Sequence, residues 1–419
     1  MKFIFDLDGT LTREETLPKI ADHFGVQTDI AHLTRETIRG AIPFTQSFKK
    51  RVEILKEFSV QETADLLATT PLLDPVVDFI KDHERDCMIA TGNLDVWVDA
   101  LARKVGCNIS SSIAQVSGDR VTKIDKILRK ETIVKELKAK GEFVVVIGDG
   151  NNDSEAMKLA DLSIAVGLVH EPAPSVLAVC DFLVYSEEAL LRLLRQIAKD
   201  EGACDETLVL SCAGIGSRLG LNTTKALLEF DEKPLIQWHL EDFKEIEDLR
   251  IVVGFQATEV IAAARHVTDH ACFVFNHEYR STSTGHSLYL GARFANDNII
   301  VWDGDLIVHR DDLGICLGCK KEFLGVSHAV TSDGVYAHLD DRENVIRFSR
   351  TDPAPHEWCG PARLKASRIY KNDDNIFEIL IEQLPIQAKK IRAFDIDTQS
   401  DYEYALANFS TYVKCAKAE

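Results

Sequence analysis

The chain has 419 residues, 45% of them hydrophobic, enough to bury a large core and, on length alone, to form two or three domains. Its formal charge is −19 and its pI about 5.2, which excludes the broad basic face that nucleic acid or an anionic membrane requires. Phosphorylated ligands must then be met by local positive charge, from a divalent cation, a few Lys and Arg, and backbone N–H groups. No apolar run reaches the roughly 18 residues of a membrane span. The Met-Lys start runs straight into a strand and does not read as a leader. Ten scattered cysteines read as reduced thiols of a cytoplasmic protein, and Cys316-Leu-Gly-Cys319, the lone C-x-x-C, is weak evidence for a metal.

Phe3-Ile4-Phe5 reads as a buried strand running into Asp6-Leu7-Asp8-Gly9-Thr10. Such a strand delivers both carboxylates to the carboxyl edge of an open α/β sheet, where ligands bind. Two acids so close call for a cation, and oxygen ligands point to Mg²⁺. Residues 14 to 72 read as a helical insertion behind this strand, in the position of a lid, with Phe44, Phe48, Val52 and Leu55 near helical spacing. A helix over Leu73–His83 precedes a strand at Cys87–Ala90 that ends in Thr91-Gly92-Asn93. A helix over Val96–Val105, a loop with the basic stretch Lys123–Lys130, and a helix over Thr132–Lys140 follow. A strand at Phe143–Ile147 ends in Gly148-Asp149-Gly150-Asn151-Asn152-Asp153, and another covers Leu162–Val166. Strands alternating with helices predict a doubly wound parallel sheet.

The strand ends then converge on one crevice. Asp6 is the candidate nucleophile, since a carboxylate can attack phosphorus, and Asp8 the candidate acid and base. Mg²⁺ is expected between Asp6, the Asp8 carbonyl and Asp149, with Asp153 and Asn152 ordering its surroundings. Thr91, the backbone at Gly92 and one of Lys123, Lys126 and Lys130 would hold phosphoryl oxygens. The motifs D-L-D-G-T-L-T, I-A-T-G-N, R-K-E-T-I and G-D-G-N-N-D resemble those of haloacid-dehalogenase-type phosphatases, and F-T-Q-S-F-K-K-R-V-E-I-L resembles the lid helix of the phosphoserine-phosphatase branch. The resemblance selects Lys130 among the three lysines. It also implies that Glu15 and Arg51 bind the amino and carboxylate ends of a small phosphomonoester substrate. Asn93 departs from the pattern, where a second small glycine is usual.

Leu190–Ala198 reads as an amphipathic helix, and the polar stretch that follows gives domain limits of 1–200 and 207–419 around a linker at 201–206. Thr207–Leu210 restarts the strand pattern and enters Ser211-Cys212-Ala213-Gly214-Ile215-Gly216-Ser217-Arg218-Leu219-Gly220, with Lys225 beyond. A glycine loop after a strand lets backbone N–H groups approach a polyphosphate, and Arg218 and Lys225 supply charge. A helix begins at Lys233-Pro234, Leu249–Val253 is a strand, and Ile299–Trp302 is a strand ending in Asp303-Gly304-Asp305. Ala393-Phe394-Asp395-Ile396-Asp397-Thr398 reads as a strand leading to a helix capped by Ser400.

This half resembles the sugar-phosphate nucleotidyltransferases, through S-C-A-G-I-G-S-R-L-G, T-K-A-L-L, K-P-L-I, V-W-D-G-D and F-D-I-D-T-Q-S-D-Y, although Thr224 stands where proline usually precedes the loop lysine. Tyr279–Leu290, containing Ser283, looks like the branch that transfers CMP onto small phosphates such as phosphocholine. The resemblance implies a nucleoside triphosphate, CTP in that branch, bound at Ala213, Gly214 and Gly216. Mg²⁺ would be held by Asp305 and by Asp395 or Asp397, with Asp397 the first choice. In such a reaction the acceptor phosphate attacks the α-phosphorus and the protein positions and neutralises charge. The expectation is a two-domain α/β enzyme with two activities. A single activity with one half as scaffold, or a non-catalytic nucleotide binder, are the rival readings, and a homo-oligomer stays open.

Overall fold

The computed structural model describes residues 1–38, 41–200, 206–329 and 334–413. The chain divides into two compact units, Met1–Leu191 and Arg192–Glu419. In the first, a parallel sheet is built on the opening strand β1 (Lys2–Phe5). Four helices follow, α1 (Thr16–His23), α2 (Gln27–Ile38), α3 (Phe44–Leu55) and α4 (Val60–Ala68), matching the expected helical insertion. Then come α5 (Asp74–Asp82), β2 (Cys87–Leu94), α6 (Asp95–Ala102), β3 (Asn108–Ser117), β4 (Arg120–Lys126), α7 (Lys130–Ala139), β5 (Val144–Gly148), α8 (Ser154–Leu159), β6 (Leu162–Val166), α9 (Pro174–Leu177) and β7 (Phe182–Val184). The strand order is β7-β6-β5-β1-β2-β3-β4, parallel except for the antiparallel β3–β4 pair.

β1 lies between β2 and β5, with Phe5 opposite Ile89 and Ile147, so the three strand ends carrying Asp6, Thr91 and Asp149 open on one edge. Phe3, Phe5, Val145 and Ile147 are all but fully buried on these strands, and each such side chain contributes roughly 1.5–3 kcal/mol. The β3–β4 hairpin stands where a loop was expected. Its residues are mostly exposed, so no apolar alternation marks it.

The division of the chain falls inside α10 (Glu187–Ala198), earlier than the expected limit at 200. Beyond the division, Arg192 Nε and Gln196 Nε2 bond Asp248 at 3.3 and 2.7 Å. Of the expected linker, residues 201–205 lie outside the described residues, and Glu206 is already the first residue of β8 (Glu206–Cys212).

The second unit continues with a short hairpin, β9 (Glu229–Phe230) and β10 (Lys233–Pro234), then α11 (Leu235–Asp242), β11 (Asp248–Val253), α12 (Ala257–Arg265), β12 (Cys272–Phe275), α13 (Thr284–Ala292), β13 (Asn298–Asp303), β14 (Leu306–Val308) and α14 (Arg310–Gly318). It ends with β15 (Phe323–His328), β16 (Tyr336–Leu339), β17 (Asn344–Ser349), β18 (His356–Lys365), α15 (Ile376–Ile381), β19 (Ile386–Lys390), β20 (Ala393–Asp395) and α16 (Gln399–Val413). The sheet order is β12-β11-β8-β13-β18-β16-β17-β19-β15, with β15 also paired to β18. β12, β11, β8 and β13 are parallel, and β18 runs antiparallel to β13. The helix α16 starts at Gln399, so the expected cap at Ser400 is corrected. Thr398 precedes the helix, and its Oγ1 accepts from Asp401 N while its own N–H donates to Asp401 Oδ2. Among the described residues no helix is long and apolar enough to cross a membrane.

Candidate active sites

In the first unit a cavity of about 120 Å³ lies at the carboxyl ends of β1, β2 and β5 and is lined by Asp6, Asp8, Glu15, Arg51, Thr91, Gly92, Asp149 and Asn152. Eight expected site residues thus meet in one place, and Lys130 and Asp153 sit directly behind them. Lys130 Nζ is 2.7 Å from Asp6 Oδ1 and 2.5 Å from Asp153 Oδ1, and all three side chains are buried. Burial alone would lower the Lys130 pKa, but Asp153 and Asp6 hold it above the usual lysine range. Asp6, Asp149 and Asp153 bring carboxylate oxygens within 4.8 Å of one another, a hard oxygen set suited to a divalent cation.

Asp8 faces the same cavity but is held apart from that trio. Its Oδ1 accepts from Thr16 N at 2.9 Å and from the Thr16 hydroxyl, which in turn accepts from Asn93 Nδ2 at 2.6 Å. Burial, then Glu15 and Asp6, push the Asp8 carboxyl up to about 7. This is the range in which a carboxyl can both give and take a proton near neutrality. The Asn93 departure acquires a purpose here. Its side chain turns into the Thr16–Asp8 chain and its Oδ1 accepts from Leu94 N.

Two glycines are required by contact. Gly9 has φ +69°, and a Cβ there would lie 3.1 Å from Glu15 Oε1 and 3.2 Å from Asp149 Oδ2. At Gly92 a Cβ would stand 2.6 Å from Cζ of Phe44, whose ring stacks on Phe48 along α3. The buried face of α3 is Ser47, Phe48, Arg51, Val52 and Leu55, so helical spacing alone carries Arg51 inward with the apolar residues.

His170 was missed by sequence reasoning. It lies in the loop after β6, and its Nε2 is 2.9 Å from Glu15 Oε1 and 3.1 Å from Asp149 Oδ2. Hydrogen bonds to Asp149 and Glu15 push the imidazole up to about 11. Burial drives Asp149 up to about 6 against the opposing bond from His170, and Thr10 Oγ1 donates to its other oxygen at 2.8 Å. The available signal was position, since a strand end of this sheet delivers its loop to the same edge as Asp6.

In the second unit a cleft of about 1240 Å³ is lined by Ala213, Gly214, Gly216, Arg218, Lys225, Ser283, Asp305 and Asp397, again all expected site residues. The pairing of β14 with β20 sets Leu306 opposite Asp395, and Ile396 N donates to Asp305 O at 3.2 Å. This register joins strand ends some ninety residues apart. Lys225 Nζ then bridges Asp305 Oδ2 and Asp397 Oδ1, each at 2.6 Å, while Arg218 Nη1 reaches Asp397 Oδ2 at 3.3 Å. Asp397, not Asp395, is the partner of Lys225.

Burial, then Asp305 and Asp395, push Asp303 up to about 7; burial, then Asp305 and Asp397, do the same to Asp395. Burial would raise Asp397 too, but Lys225, Arg218 and Arg350 hold it below the usual carboxylate range. Among the described residues the tight metal-competent groupings all fall in the first unit. Asp305 and Asp397 share an ammonium instead. Thr224 explains its own departure from the resembling pattern: its N–H donates to Gln256 Oε1 at 2.8 Å, a bond proline cannot make. Tyr279, the first residue of the segment expected to face the ligands, lines the cleft as well, and so do Asn276, Arg350, Glu357 and Trp358, which were not foreseen.

The haloacid dehalogenase-like hydrolase family profile matches residues 3–161, and that of the MobA-like NTP transferase domain matches residues 207–314. The chain joins a haloacid dehalogenase-like hydrolase domain to a nucleotidyltransferase domain. The phosphoserine phosphatase of Methanocaldococcus jannaschii is 28% identical over 175 residues, covering 39% of this chain and 83% of that protein. The human phosphoserine phosphatase is 26% identical over 180 residues, covering 39% of this chain and 80% of its own. Among solved structures, the CTP:phosphocholine cytidylyltransferase of Streptococcus pneumoniae aligns over 49% of this chain and 100% of that one, with 21% identity and a TM-score of 0.42. Both domains are enzyme domains, so the scaffold and pure-binding readings lose their ground.

Proposed function

We propose that the protein is a bifunctional enzyme. The first unit hydrolyses small phosphomonoesters through an aspartyl-phosphate on Asp6. The second transfers a nucleotidyl group, CMP from CTP, to a small phosphate or phosphonate and releases pyrophosphate. One observation carries the reading in both halves: a strand-end Asp-x-Asp is tied to a remote carboxylate by a single lysine, Lys130 with Asp6 and Asp153, and Lys225 with Asp305 and Asp397.

In the first unit the Asp6 carboxylate oxygen forms the bond to phosphorus, and the ester oxygen leaves with the proton of Asp8. Asp8 then takes a proton from the water that attacks the acyl phosphate, freeing phosphate and Asp6. Thr16 holds Asp8 in place, and Lys130 with Thr91 and the Gly92 backbone would face the phosphoryl oxygens. Asp6, Asp149 and Asp153, with the Asp8 carbonyl, would hold Mg²⁺, which when bound neutralises charge on the transferred group.

In the second unit the acceptor phosphate oxygen bonds to the α-phosphorus and the bond to the β-phosphate bridge breaks. Arg218, Lys225 and the backbone at Gly214 and Gly216 are placed along the cleft to meet the polyphosphate. Asp305 and Asp397 would hold Mg²⁺, which when bound would neutralise charge on the polyphosphate, and Lys225 beside them would meet its oxygens. The cleft exceeds the roughly 300–1,000 Å³ of ordinary ligand pockets, which suits two ligands held at once. The test is to incubate the protein with Mg²⁺, each of four nucleoside triphosphates and a panel of small phosphates, following phosphate and pyrophosphate separately. Pyrophosphate release that needs both CTP and an acceptor supports the reading. Tight nucleotide binding with no release under any acceptor contradicts it.

A further inference from the structure

The strand that delivers Thr91 and Gly92 bulges out of register just where it reaches the phosphatase cavity. Among the described residues its pairing with β1 ends at Ile89 opposite Phe5, and its pairing with β3 jumps from Ala90–Ser110 to Leu94–Ser112. Thr91, Gly92 and Asn93 therefore stand against Ser111 alone, and part of their backbone must find partners outside the ladder. One partner is a side chain with no place in the chemistry described so far. Ser112 is fully buried on β3; its Oγ donates to Gly92 O at 2.7 Å and accepts from Leu128 N at 3.0 Å. Both bonds lead to groups that face phosphoryl oxygens. The Gly92 carbonyl and the Asn93 N–H belong to one rigid peptide plane. Ser112 holds that plane by its oxygen, and Thr91 Oγ1 accepts from Asn93 N at 3.1 Å on the other side. With its oxygen so engaged, the Thr91 hydroxyl has its single hydrogen to donate, and Thr91 lines the cavity. Leu128 lies two residues ahead of Lys130, the first residue of α7, whose ammonium sits between Asp6 and Asp153.

We infer that Ser112 is a positioning residue of the phosphatase unit: one buried hydroxyl fixes the Gly92–Asn93 peptide and the approach to α7 together, so that Thr91 and Lys130 meet the same phosphoryl group. The inference rests on the phosphatase reading above and deepens it. Ser112 does not line the cavity and touches no reacting atom; it acts through Thr91 and Lys130. The register jump is what makes it necessary. In an unbroken ladder the Gly92 carbonyl would bond a neighbouring strand and leave no call for a side chain.

The experiment measures p-nitrophenyl phosphate hydrolysis by the full chain with Mg²⁺, and its inhibition by orthovanadate, for the parent, Ser112→Ala, Ser112→Cys and Ser112→Thr. Ser112→Ala leaves the Gly92 carbonyl and the Leu128 N–H without their shared partner. It should lower kcat/KM by about tenfold and weaken orthovanadate by about the same factor. Ser112→Cys, a weak donor of similar size, should fall between, and Ser112→Thr, which keeps the hydroxyl, should stay within about threefold of the parent. In a Thr91→Val background, Ser112→Ala should cost less than in the parent, because one of its two routes has gone; a purely structural role costs the same factor in both. Denaturant unfolding checks that each variant is folded, and Ser112→Cys carries the comparison should Ser112→Ala not fold. Parent-like hydrolysis and orthovanadate inhibition in Ser112→Ala, equal losses in Ser112→Ala and Ser112→Thr, or equal costs in the two backgrounds overturn the inference while the parent still hydrolyses p-nitrophenyl phosphate. A parent that hydrolyses none of it sinks the phosphatase reading itself.

Discussion

Thr16 gives a sharp test of how Asp8 is tuned. Its N–H and hydroxyl both donate to Asp8 Oδ1, and the hydroxyl is itself held by Asn93 Nδ2. These bonds favour the ionised carboxylate, and they oppose the burial and the Glu15 and Asp6 charges that place Asp8 near 7. Thr16→Val removes the hydroxyl and keeps the backbone donor. A hydrogen bond to a charged group contributes about 1.5–3 kcal/mol, and a pKa unit is about 1.4 kcal/mol, so the Asp8 pKa should rise by about one to two units. Because Asp8 must be protonated to release the alcohol, the alkaline limb of kcat/KM moves to higher pH by the same amount. The assay is the pH profile of p-nitrophenyl phosphate hydrolysis for the parent, Thr16→Val and Thr16→Ser, with stability at each pH followed in parallel. Thr16→Ser should overlay the parent. A Thr16→Val profile that overlays it too, in a folded protein, refutes the assignment of Asp8 as the proton donor.

Lys225→Met should cut pyrophosphate release by about a hundredfold or more while leaving phosphatase turnover unchanged, because Asp305 and Asp397 lose their shared cation and the polyphosphate its nearest ammonium; equal loss of both activities contradicts the placement. His239 on α11 is 94% buried, given its 6% exposure, and burial drives its pKa down to about 4, against an ordinary value of 6.5. A depressed folded pKa means stability that is present above pH 6.5 and lost as pH falls through 4, amounting to about 3 kcal/mol in the second unit. Denaturant unfolding of the metal-free protein between pH 7 and 4 should show that loss, and His239→Gln should remove it; identical pH slopes for the two proteins exclude His239 as the cause.

Both domains were legible because chemistry and pattern coincide in them. A buried strand such as Val144–Gly148 needs apolar residues without a break, and the polar group that follows it must land on the ligand edge. That logic located Asp6, Asp149 and Asp305 without knowledge of the fold. The hairpin Asn108–Lys126 escaped because both of its faces are largely solvated, although its two-residue turn at Gly118-Asp119, with Gly118 at φ +61°, is a known hairpin signal. β7, three residues long, offered too short a run to read. The Thr398 cap was missed in favour of Ser400 because two hydroxyl residues compete at one helix start. Asp401, three residues past Thr398, was the deciding cue. His170 had no local signature at all. Its meaning depends on Glu15 and Asp149, which only the tertiary fold brings to it.

The account's central claim is two chemistries at two separate sites. The most direct measurement follows phosphate and pyrophosphate in one mixture of protein, Mg²⁺, CTP, phosphocholine and a phosphomonoester, for the parent, Asp6→Asn and Asp305→Asn. Asp6→Asn should abolish phosphate release and spare pyrophosphate release, and Asp305→Asn should do the reverse. Loss of both activities from either change, with the protein still folded, contradicts the two-site account.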